Sequence, residues 1–223
     1  MREIKKLSEP PELTAYRLLP NAQYDGDASF TPVKDKIRQR LLKEQGYLCA
    51  YCMRRIAAHV MKVEHWHCQD NYPTEQLDYK NMLGACLGNE GQPQSDQTCD
   101  TRKANRELKY HPANPDHRIE HQIKYRSNGE VYSDDQDFNQ QLGGLGAQAR
   151  ETVLNLNNFR LKENRKAVVD GMNLWFASKA GGRTKGQIQK QLESWMTPDQ
   201  DGMLKEYCGV AVYFLCKRLN RLC

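Results

Sequence analysis

Residues 41–52 read LLKEQGYLCAYC, and the last five of them decide how the rest of the chain is understood. Cys49 and Cys52 have the spacing at which a tight turn aims two thiolates at one tetrahedral ion. Closing that shell takes two more soft ligands, and Cys86 and Cys99 are the candidates downstream. Between them runs GNEGQPQSDQT, a polar segment rich in Gly and Gln that predicts a surface loop inserted into a second knuckle. The expectation is a structural Zn2+ held by Cys49, Cys52, Cys86 and Cys99. Cys68 is a fifth thiol close enough in sequence to compete for one of the four places. Cys208, Cys216 and Cys223 fit packing or exposed positions better than ligation, since a free Cys in a helix behaves as a small hydrophobe.

The chain has 223 residues, 39% hydrophobic and 27% charged, which describes a globular protein rather than a disordered one. No apolar run approaches the roughly 18 residues needed to span a bilayer. The basic start MREIKK has no apolar stretch behind it, so no membrane association is expected and a cytoplasmic location is the default. In a reducing compartment, the eight cysteines point to metal or catalysis rather than to a disulfide framework. A net charge of +5, from 33 basic against 28 acidic residues, is a mild bias toward phosphate-bearing partners.

Three regions follow. Residues 1–46 predict an extended arm and then a helix, with Thr31 as N-cap, Pro32 at the first helical position and Gly46 ending it. Residues 47–112 carry most of the Cys and His, and DTRKANRELKY predicts a helix over 100–110 stopped by Pro112. Residues 113–223 predict a β-hairpin turning at Asn128-Gly129 and then helices over 158–178 and 184–196. A last helix is expected to open on Thr197-Pro198-Asp199-Gln200 as a capping box. The fold class expected is α+β, mainly α.

A zinc knuckle alone would not need the residues lying between its halves. VEH at 63–65, LDYKNMLGAC at 77–86 and DTRK directly after Cys99 occur in an order that resembles the HNH endonuclease family. MREIKK, LLKEQGYLCAYC, VEHW, CDTRK and later LNLN with Arg165 are similar to the PtuB-type HNH subunit of Septu and retron-associated defence systems. The resemblance implies a zinc-stabilised ββα-metal core within 47–112, hydrolysing phosphodiester bonds in DNA or RNA. It implies His65 as general base, Asn81 positioning the His65 ring, and Glu64 as ligand to a catalytic divalent metal. Asp100 stands where the motif has its final His; a carboxylate there favours Mg2+ or Mn2+. Lys103, three residues further along that helix, is a candidate phosphate contact. His67 falls on the face of His65 if the strand alternates that far, and Trp66 fits packing. The partners implied are a nucleic acid substrate, a PtuA-like ABC-type ATPase and a retron reverse transcriptase with its non-coding RNA/DNA. The competing class is a zinc-knuckle nucleic-acid-binding module or adaptor without catalysis.

Overall fold

The computed structural model of the protein describes residues 1–144 and 152–220. Cys223 lies outside the described residues. The fold is α+β and mainly helical. In chain order it runs α1 (Pro11–Arg17), α2 (Phe30–Glu44), β1 (Met61–His65), β2 (Met82–Cys86), α3 (Cys99–Lys103) and α4 (Ile119–Gln122). The hairpin β3 (Lys124–Tyr125) and β4 (Val131–Tyr132) follows, then α5 (Gln136–Leu142), α6 (Phe159–Ala177), α7 (Lys185–Met196) and α8 (Cys208–Leu219). Among the described residues, no helix is long and apolar enough to cross a membrane.

The arm is not wholly extended. α1 buries Leu13 and Tyr16, and the Tyr16 ring meets Phe30 of α2 at 5.0 Å. Two apolar positions give no readable period, and a helix of seven residues depends on that tertiary contact. Before it, the chain is tied down: the Ile4 N–H donates to Pro112 O, and Lys6 Nζ reaches Glu44 and Met82 O. α2 buries Phe30, Val33, Ile37, Leu41 and Leu42. It begins one residue before the expected cap, behind Ser29, so Thr31 lies inside the helix. Gly46 follows with φ +59, and a Cβ there would lie 2.5 Å from the Leu204 side chain, so the turn needs glycine for space as well as backbone.

β1 and β2 pair antiparallel, Met61 with Cys86 through His65 with Met82. Buried Gln45 joins them to α2: its amide donates to Leu48 O and Gly84 O, and its carbonyl accepts from Gly84 N. That satisfies backbone groups that burial would otherwise penalise. α3 stops at Lys103 rather than continuing to 110, because Ala104 takes φ +48 and leaves helical geometry. The Arg106 guanidinium then bonds the carbonyls of Lys103, Thr152 and Val153, holding the turned chain against the following segment.

The β3–β4 hairpin forms as expected, but its tight turn comes one residue earlier: the Gly129 N–H donates to Arg126 O across Ser127-Asn128, and Gly129, at φ +83, packs against α6. α6 and α7 match their expected spans. A capping box does occur in this region, but at Thr184 and Gln187, opening α7. Thr197 caps the end of α7 instead, and Asp199 accepts from the N–H groups of Asp201 and Met203 in a tight turn. An Asp side chain bonding the backbone two residues on competes with helix nucleation, so α8 waits until Cys208. Cys208 and Cys216 are both buried in α8; Cys208 is the free packing thiol expected, whereas Cys216 is disulfide-bonded, against the expectation of free cysteines.

Candidate metal centre and carboxylate site

Cys49 and Cys52 belong to a tight hairpin closed by the Leu48–Arg55 bridge. The Cys49 N–H donates to Arg54 O, and Met53 turns the chain at φ +63. Cys86 ends β2, and Cys99 opens α3 with φ +54. The four Sγ atoms lie within 4.8 Å of one another, all buried. Cys52 and Cys86 are 3.8 Å apart. A tetrahedral zinc with bonds of about 2.3 Å sets its sulfurs roughly 3.8 Å apart, so the cluster has the size of the ion. Its electrostatics agree. Burial opposes the Cys49 thiolate, but hydrogen bonds from the other three thiols outweigh it and hold Cys49 well below the usual thiol range. The bond to Cys49 keeps Cys52 and Cys99 well above that range. Only a cation lets all four ionise together, and the donor set fits a structural zinc. Cys68 is buried but outside the cluster.

Glu64 and His65 end β1, both buried, with 4% and 6% exposure. Glu64 Oε1 accepts from the Tyr51 hydroxyl at 2.7 Å and lies 2.9 Å from Lys103 Nζ. Burial pushes the Glu64 carboxyl well above the carboxylate range, and the neighbouring Asp100 carboxyl raises it further; Lys103 and Tyr51 pull it back. Asp100 therefore does meet Glu64, and Lys62 Nζ stands 3.9 Å from Asp100 Oδ2. The Glu64–Asp100 pair is what a hard divalent cation would relieve. Among the described residues, the only group of three or more close metal-binding side chains is the thiol cluster. Lys103, considered above as a phosphate contact, is fully buried, its ammonium directed to Glu64 and to His65 O at 3.2 Å.

The His65 ring is fixed at both nitrogens. Nε2 is 2.9 Å from Gln76 O, and a carbonyl only accepts, so Nε2 carries the proton. Nδ1 then offers its lone pair, taken by the Gln69 amide at 2.8 Å. Burial lowers the pKa of this imidazole, keeping it neutral. The edge-on ring of Tyr24, 4.6 Å away, covers it. Asn81 makes no hydrogen bond to the ring. Its Oδ1 accepts from His67 N and its Nδ2 donates to His67 O, so it locks the backbone just after β1. His67 lies beyond the strand's end; its ring bonds Glu75 at 2.7 Å and stacks on Tyr72.

Tyr51, Gln69 and Gln76 are site residues that sequence reasoning missed. Only Tyr51 carried a signal, its position between two thiolate ligands. A scan against protein-family models gives no match for this chain, and neither does a search of curated proteins.

Proposed function

We propose that the protein is a metal-dependent nuclease of the HNH type, hydrolysing phosphodiester bonds. One observation carries the reading: a neutral, doubly anchored imidazole at the end of β1 adjoins Glu64 and Asp100, in a strand–strand–helix unit bound to a four-thiol cluster. His65 Nδ1 accepts a proton from the attacking water, while the Nε2 bond to Gln76 O holds the tautomer and favours the imidazolium that forms. Glu64 and Asp100 are the residues that would hold the divalent ion. When bound, that ion supplies charge stabilisation at phosphate. Gln69 must yield Nδ1 to water, and Tyr24 must open a path to it. DNA and RNA both suit this chemistry. The PtuA-like ATPase and the defence role belong to the same proposal through the sequence resemblance.

A second reading, a binding module without catalysis, is favoured by one feature. His65 is 6% exposed and its base nitrogen is already occupied. Incubating the protein, with its partner ATPase and Mg2+ or Mn2+, with DNA and total tRNA separates the two. Cleavage by the wild type, abolished in His65→Ala with zinc content and melting temperature unchanged, supports the nuclease. Binding without cleavage supports the module.

A further inference from the structure

We infer that Tyr51 is a positioning residue: its hydroxyl, carried by the thiol knuckle, orients Glu64 for a hard divalent cation beside Asp100. The inference rests on the carboxylate reading of the site given above. Tyr51 lies between Cys49 and Cys52 and is fully buried. Its phenol donates at 2.7 Å to the side chain of Glu64. The other half of the cluster acts on the same oxygen. Cys99 opens α3, and Lys103 of that short helix sets its ammonium 2.9 Å from Oε1.

Each half of the thiol cluster thus sends one donor to Oε1. α3 brings Asp100 to the same carboxylate from its second position. The ion that orders the four thiols therefore also fixes the carboxylate geometry. A carboxylate gripped at one oxygen presents the other without reorganising, which is how outer hydrogen bonds raise metal affinity. Phenylalanine at 51 would fill the same volume and remove only the hydroxyl.

The test uses the full chain and its Tyr51→Phe variant, with zinc content by elemental analysis and Mn2+ affinity by electron paramagnetic resonance of free Mn2+. The expected result is one zinc in both proteins and Mn2+ binding roughly 10–100-fold weaker in the variant. Glu64→Gln should lose Mn2+ binding while keeping zinc. Equal Mn2+ affinity in wild type and Tyr51→Phe overturns the inference while leaving the carboxylate site standing. Loss of zinc from Tyr51→Phe also overturns it, because the hydroxyl would then serve the knuckle. A wild type that binds zinc but no Mn2+ instead removes the carboxylate reading itself.

Discussion

Replacing Cys86 with serine tests the metal centre most directly. The four thiols are buried and within 4.8 Å of one another, so the protein itself supplies all four places of a tetrahedral shell, and no fifth side chain joins the group among the described residues. Structural zinc in small domains contributes about 10–16 kcal/mol of apparent binding free energy, shared over four bonds. One bond is then worth about 2.5–4 kcal/mol, or roughly a 60- to 700-fold loss of affinity. The whole contribution is comparable to the ~5–15 kcal/mol that stabilises a typical domain, so removing the ion should unfold the region it joins. That region is legible: the knuckle at Leu48–Arg55, the end of β2 and the start of α3. Titration with Co2+ should give thiolate-to-cobalt charge-transfer absorption saturating at one equivalent, and a chelator should lower the melting temperature sharply. Cys86→Ser should bind Co2+ weaker by the stated factor, whereas Cys68→Ser should match wild type. A purified protein free of metal that melts at the same temperature with and without chelator would refute the reasoning.

Other consequences are smaller. Asn81→Ala removes both bonds to the His67 backbone and should cost about 1–3 kcal/mol in urea unfolding; a change in activity with no loss of stability would instead place Asn81 on the His65 ring. His111 is buried, its Nδ1 accepts from Ala113 N, and burial lowers its pKa from 6.5 to about 3. The folded protein then binds fewer protons than the unfolded chain in that window, so stability is lost as pH falls from 6.5 toward 3. His111→Gln should flatten that part of the stability–pH curve, and an unchanged slope would show that other groups carry it.

The sequence by itself determined the features with a local cause. The Cys49–Cys52 pair, the β3–β4 hairpin, the apolar stripe of α2 and the helical spans of α6 and α7 all announce themselves through neighbours a few positions away. Cys68 could be set aside from the zinc only in space, because one-dimensional spacing does not say which thiols converge. The tertiary structure also decided where helices stop. Ala104 ends α3 early, where Arg106 ties the turned chain to the carbonyls of Thr152 and Val153, and Asp199 holds a turn where a cap was expected. Around the candidate site the same division holds. Glu64, His65 and Asp100 could be picked out from their order along the chain, but their partners are remote: Tyr51 is 13 positions from Glu64, and Lys103 is 38 from His65. Lys103 shows the physical reason. On a bare helix a lysine belongs in water, and only a buried carboxylate from another element makes its burial affordable.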